Sequence, residues 1–291
     1  MHNKNENIIY PAIDNMVVNL SDYLQEYKDC FRTKTQDMSE LSELYISGLL
    51  KTEHGRRNIE RLHEELNMDG DGYQLIQNFI TDSPWDTLKL PGAVACNTSD
   101  LYALQPGYVE EDVGYIIDES AHLKKGKNSA GVAKQYAGVI GKVETCQVGV
   151  YISLVWQNHT SLINCRLFLP KCQAEDDARC EKAGIPQEER THKSKPLWAL
   201  EMLKADIEAG VRFGWVGGDG LYGHGYELSY AVDDMELTFL FDVHNDQSIF
   251  ELEPTICIPK KKPGPGRTPT RPRTEAIATT VKEYRAELDE T

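Results

Sequence analysis

At 291 residues and 40% hydrophobic content, the chain is long enough to bury the core of one large domain or two ordinary ones. A formal net charge of −15 excludes a uniformly basic coat, so any contact with a polyanion has to come from local patches. The opening MHNKNENIIYPAID lacks the basic start and apolar run of a signal peptide, and no apolar run is long enough to span a bilayer; a cytoplasmic protein without membrane contact is expected.

Residues 17–66 read as helical, because Leu41, Leu44, Tyr45, Leu49 and later Ile59, Leu62 and Leu66 recur at helical spacing among charged residues. Asn67-Met-Asp-Gly-Asp-Gly is a loop by its glycines and aspartates. It is not a calcium loop, since Ile80 stands where the bidentate Glu would have to be. Tyr73 to Ile80 forms a further helix, closed by Ser83-Pro84-Trp85-Asp86. Residues 1–100 are therefore expected to be a small helical domain.

From about residue 113 the pattern changes to β-rich runs. Tyr115–Asp118, Gln147–Trp156 and Ser161–Leu169 read as three strands, the last two joined by a turn over Gln157–Thr160. Five lysines, Lys124, Lys125, Lys127, Lys134 and Lys142, follow Asp118 and Glu119 with no acid before Glu144, a segment suited to phosphates. After a charged insert, Pro170 to Pro196, a helix is expected over Leu197–Ala209, with Leu197, Ala199, Leu200, Leu203 and Ile207 on its apolar face. A buried strand over Arg212–Gly218 leads to Asp219, followed by a helix near Gly225–Val232 and a last strand, Leu237–Val243.

The order βββαβαβ predicts an α/β fold of the RNase H-like kind, with a mixed sheet, over residues 110–250. Asp118 and Asp219 then sit at the ends of neighbouring strands, about 5 Å apart, where carboxylates can share divalent cations. Strand alternation sends Glu119 to the opposite face. Tyr136, Trp215 and Tyr222 are expected to be packing residues, and His122 and His244 structural. The seven cysteines, with no CxxC pair, fit reduced and mostly buried thiols. Pro259–Arg273, with five prolines and six basic residues, is expected to be an extended, exposed tether, serving either as a phosphate-contacting arm or as a solvated linker. Residues 274–291 begin a C-terminal region in which a helix can start.

These pieces resemble a DDE-type insertion-sequence transposase of the bacterial cut-and-paste kind. The resemblance runs in order through Arg57-Asn-Ile-Glu, Ser83-Pro-Trp-Asp, IIDES with its KKGK, SAGVAKQYAGVIGKVETCQVGVY, KAGIP, WVGGDGLYG and Asp242-Val-His. It implies that Asp118 and Asp219 are the first and second catalytic aspartates and metal ligands. It implies Mg²⁺ or Mn²⁺, as two ions where the site is complete, and DNA strand cleavage and strand transfer at element ends. The lysines would hold the DNA backbone near the metals. The helical domain would bind DNA, the partners would be element ends and target DNA, and the enzyme would act as a homo-oligomer in a synaptic complex at the nucleoid. In that family the third acid, a glutamate on a later helix, follows a linker resembling Pro259–Arg273. Glu227, Glu251 and Glu253 lack its context, so the sequence reads as the N-terminal two-thirds of a transposase. The alternative is a catalytically silent relic that binds DNA or a full-length partner without cutting.

Overall fold

The computed structural model describes residues 20–289 apart from 54, 56, 225, 262 and 266. The chain divides into two compact units, which part between Asn97 and Thr98.

The first unit is built from α1 (Ser39–Lys51), α2 (Ile59–Glu65), α3 (Gly72–Thr81) and the start of α4 (Lys89–Ala103), preceded by a 3₁₀ turn at Lys28–Phe31. The helical stretch expected over 17–66 is thus interrupted, and its first three positions lie outside the described residues. Thr52 ends α1 in an extended conformation, and Asn58 restarts the helix by accepting a hydrogen bond from Arg61 N–H at 2.9 Å. Tyr27, Cys30, Phe31, Met38 and Phe79 form the buried cluster, with Leu41, Tyr45 and Trp85 packed against it. Trp85 is more than a helix stop: its indole N–H donates to the Phe79 carbonyl at 3.0 Å while the two rings stack at 5.9 Å. α4 was not assigned from the sequence; Pro91 and Gly92 fall in its first turn, where a missing N–H costs nothing.

The second unit contains β1 (Gly114–Leu123), β2 (Ala133–Ala137), β3 (Lys142–Trp156), β4 (His159–Leu167), α5 (Lys195–Glu208), β5 (Trp215–Gly218), α6 (Gly220–His224), α7 (Tyr226–Asp234) and β6 (Thr238–Phe241). β3 runs antiparallel to β1 and β4, while β1, β5 and β6 are parallel to one another. The order β4-β3-β1-β5-β6, three antiparallel strands followed by two parallel ones after crossover helices, is the RNase H-like mixed sheet. α5 packs on β3 and against α7. Ser194 caps α5 by accepting from Leu197 N–H at 3.3 Å, and Pro196 occupies its first turn.

Three departures from expectation matter. β1 does not end at Asp118 but continues to Leu123, and β2, unexpected from sequence, pairs with the early part of β3. Cys146 pairs with Leu123 on one side and Ala133 on the other, so β2 lies on the edge of β3 opposite β1, and the three strands make a ribbon. Next, the segment Pro259–Arg273 is not an extended tether. Cys257 and Arg273 exchange backbone hydrogen bonds of 3.0 and 2.9 Å, so the basic segment doubles back as a closed loop. Beyond it, β7 (Ser248–Ile249) pairs with β8 (Thr279–Thr280), and α8 (Val281–Asp289) begins with a Thr280–Glu283 capping box. Finally, the cysteines are not mostly buried: Cys30, Cys146 and Cys180 are, but Cys165, Cys172 and Cys257 are exposed.

One buried polar network ties the sheet to α5. Tyr115 on β1, fully buried, donates its hydroxyl to Asp206 Oδ2 at 2.8 Å, and Asn164 on β4 donates to the other oxygen at 3.2 Å. Burial lifts the Asp206 carboxyl above its ordinary range, outweighing the hydrogen bonds from Tyr115 and Asn164 that pull it down. A raised folded-state value means a stability contribution that is full below the ordinary carboxylate value of about 4 and is lost as pH rises through the folded value. Urea denaturation followed across that range should show wild-type stability falling relative to Asp206→Asn, which lacks the titration. Asp206→Ala, leaving the Tyr115 hydroxyl unpaired, should cost about 2–3 kcal/mol at neutral pH.

Candidate active site

The site forms where β1 and β5 run side by side. Ile117 is in register with Gly218, so the next residue on each strand is a carboxylate: Asp118 from β1 and Asp219 at the turn into α6. Each aspartate fixes one oxygen locally. Asp118 Oδ1 accepts from the Glu119 N–H at 2.7 Å, and Asp219 Oδ1 accepts from the Leu221 N–H at 2.9 Å. Among the described residues the other oxygen of each accepts no hydrogen bond, which leaves one free oxygen on each of two exposed side chains.

Glu119 does not point away, contrary to the alternation argument. Asp118, Glu119 and Asp219 each bring a carboxylate oxygen to within 4.8 Å of the other two. The glutamate is one methylene longer than its neighbour, and that length lets a residue on the opposite side of the strand reach the same place. Its Oε1 is paired with Lys195 Nζ at 2.9 Å, both side chains being largely shielded from water. Its Oε2 is buried, and the Tyr222 hydroxyl faces this carboxylate.

Tyr222, from α6, closes the floor. It is fully buried, and its hydroxyl faces the Glu119 carboxylate, the partner for its hydrogen bond, in a looser geometry than the bonds above. Burial pushes this phenol far above its ordinary value, and the surrounding negative charges of Glu119, Asp219 and Asp118 push the same way, so it is a permanent hydroxyl donor. Tyr222 is thus buried, as its packing role required, but its polar end belongs to the site.

Unit charges 4.8 Å apart repel by about 1 kcal/mol in water and by about 3–4 kcal/mol at an effective dielectric of about 20. With Asp118 and Asp219 exposed, the lower figure is the better guide for that pair. Lys195 is the cation set directly against the cluster. The donor set is all hard oxygen, two of them free on exposed side chains, which fits a divalent cation of the Mg²⁺ or Mn²⁺ kind.

The five lysines are exposed but do not adjoin the acids. Lys124 lies six residues past Asp118 along the strand direction, about 20 Å at the usual rise. Lys134 pairs with Thr145 and Lys142 with Ala137, so these sit about 20–30 Å from Tyr151, the β3 partner of Asp118. The expectation that the lysines flank the acids is therefore corrected, since it assumed a strand ending at Asp118. Sequence reasoning also passed over Arg179, whose guanidinium donates to the carbonyls of Val132 and Lys127 and lines a cleft with Lys127 and Lys134. Tyr136, expected to pack, is instead 61% exposed on the ribbon. His122 bonds the Tyr151 hydroxyl at 3.0 Å, and His244 packs its ring over Gly220 beside His224.

Glycines let the elements approach this closely. A methyl group on Gly223 would meet the Asp242 carbonyl oxygen at 2.0 Å, a backbone atom that cannot swing aside. Gly223→Ala should push α6 off the end of β6, displacing Tyr222 and Asp219, and lower the melting temperature by at least about 5 °C, as read by differential scanning calorimetry.

Compared with known families, residues 26–291 match the one described as DDE superfamily endonuclease. The chain is 24% identical over 233 residues to the "Probable transposase for insertion sequence element IS701" of Microchaete diplosiphon, an overlap that takes in 79% of this chain and 55% of that protein. The chain thus spans about half the length of this relative.

Proposed function

This chain belongs to the DDE superfamily endonuclease family, and from that premise we propose that it acts on the DNA ends of an insertion sequence as a transposase, with Asp118 and Asp219 as its catalytic metal ligands. The observation that carries the reading is the pairing of Ile117 with Gly218, which sets the two aspartates side by side with one free oxygen each. Divalent ions bound there would supply Lewis-acid activation of a water or a 3′-hydroxyl and stabilisation of the leaving oxygen. The protein's own part is positional. The backbone bonds to Asp118 Oδ1 and Asp219 Oδ1 fix the direction in which the free oxygens point, so that the scissile phosphate meets a preorganised site.

The ribbon then acts at a distance from the chemistry. DNA rises about 3.4 Å per base pair along each strand, so Lys124, Lys125, Lys127, Lys134 and Lys142 would engage phosphates about six to nine base pairs from the scissile bond. They would set register and orientation without reading sequence. With the exposed Tyr136 between them, they form a surface that fits a nucleic-acid backbone. Element ends and target DNA are the partners in this reading, with the protein working as an oligomer that brings two ends together.

A DNA cleavage assay with Mg²⁺ or Mn²⁺ tests the reading directly. Wild-type protein should nick element-end DNA, and Asp118→Ala or Asp219→Ala should each lose at least about a thousandfold in rate while keeping DNA affinity. Retained DNA binding with no cleavage in any divalent metal would show a binding protein instead. A separate measurement addresses the ribbon: replacing Lys124, Lys125 and Lys127 by Ala should reduce the slope of log affinity against log salt by about 2–3, uniformly across DNA sequences.

A further inference from the structure

Resting on the nucleic-acid reading above, we infer that the cleft between the β1–β2 connection and the helical insert after β4 is a pocket for one backbone phosphate of DNA. Arg179, Lys127 and Lys134 are its contacts, and Gln173 is the residue that positions them.

An exposed connection between two strands is ordinarily left to solvent. This one is braced from several distant segments. Gln173, fully buried in the short helix Lys171–Ala174, accepts from the Gly131 N–H through Oε1 at 2.7 Å and donates through Nε2 to the Ser129 carbonyl at 3.4 Å. Gln147 donates to the Ala130 carbonyl at 2.6 Å, and Gln135 to the Gly131 carbonyl at 3.1 Å. Arg179, in the next helix, Asp177–Lys182, donates Nη2 to the carbonyls of Val132 and Lys127. Gly131 itself has a φ of +73°, and a methyl group there would meet the Phe168 carbonyl oxygen at 2.9 Å. Ordering a surface connection in this way costs conformational entropy. Its effect is to hold Lys127 and Asn128 in place across a cleft from Arg179.

The cleft has a volume of about 540 Å³, and none of the residues that line it is acidic or aromatic. The acids of the neighbouring helix are engaged elsewhere: Glu175 lies 3.6 Å from Lys171, Asp177 lies 3.7 Å from Arg190, and Asp176 caps its own helix at 3.0 Å. Among the described residues no carboxylate pairs with Lys127, Lys134 or Arg179. Three uncompensated cations around one cleft, in a chain of net charge −15, attract an anion. Among the described residues Arg179 Nε and Nη1 carry no hydrogen bond, which leaves that edge of the guanidinium to donate to phosphate oxygens. Asn128 and Thr145 add neutral donors. Without an aromatic ring the cleft has nothing on which to stack the base of a free nucleotide, so the phosphate it suits is one in a polymer. Lys134 and the exposed Tyr136 share one face of β2, and a strand leaving the cleft passes along the ribbon.

Cys172, exposed on the cleft wall, is a native reporter of occupancy. The full chain is treated with N-ethylmaleimide alone, with a short DNA duplex at low salt, and with inorganic pyrophosphate. Modification of Cys172 is followed by peptide mass spectrometry, and duplex binding by fluorescence anisotropy. Wild type should bind the duplex, which should slow modification of Cys172 at least about fivefold. Lys134→Ala should reduce the slope of log affinity against log salt by about 1. Gln173→Leu, which loosens the connection but removes no charge, should weaken binding at least about threefold with an unchanged slope. Duplex binding with Cys172 modified at its free rate, or an unchanged slope in Lys134→Ala, overturns the pocket and leaves the wider nucleic-acid reading standing. Wild-type affinity in folded Gln173→Leu overturns the positioning role. Protection by pyrophosphate but not by duplex overturns DNA as the occupant. No duplex binding by wild type overturns the nucleic-acid reading and this inference with it. Lys134 is exposed and can be replaced without touching the core, so the salt slope decides even where Gln173→Leu fails to fold by circular dichroism.

Discussion

The parallel pairing of β1 with β5 is the constraint on which the rest depends. Residues about a hundred positions apart in sequence become neighbours through a crossover containing α5, and the register decides which side chains meet. A slip of one residue would set Asp118 against Gly218 or Gly220 and turn every β5 side chain to the other face. The register is held from several directions. Trp215 lies over both Gly114 and Gly217, where a methyl group would collide with its ring at 2.6 and 2.7 Å, and the buried bond from Tyr115 to Asp206 locks β1 to the crossover helix.

Holding three carboxylates together raises the energy of the folded chain, and the surroundings offset it in stages. Backbone N–H groups take one oxygen of each aspartate, Lys195 takes one of the glutamate, and water reaches the aspartates. What remains is the loose contact between the Glu119 carboxylate and the buried Tyr222 hydroxyl. The polar network at Asp206, two residues before the end of α5, is by contrast paired on both oxygens and has the character of a rigid support.

Much of this was legible in the sequence, and the failures have identifiable causes. The βββαβαβ order and the approach of Asp118 to Asp219 could be read because β-branched runs and helical spacing are local signals, while topology rules supply the long-range step. Glu119 was misread because alternation describes where Cβ points, whereas a flexible side chain decides where its oxygens lie. The length of β1 was missed because Ser120, Ala121 and His122 carry no strand signal of their own; pairing with β3 overrides their propensity. The same mistake placed the lysines beside the acids. Lys195, Tyr222 and Arg179 were invisible as site residues, since each acquires its role from partners on distant segments.

The closed loop between Cys257 and Arg273 changes what a basic, proline-rich segment can do. Its 15 intervening residues, if stretched, would carry charge about 50 Å from the domain, but with both ends stapled the farthest point lies no more than about half that distance away. Reach is exchanged for concentration. Lys260, Lys261, Arg267 and Arg271 are confined to one small volume, so their fields add within about a screening length instead of being spread along a strand. Such a loop behaves as a compact cationic knob on the surface, with a short radius of action that fades steeply as ionic strength rises.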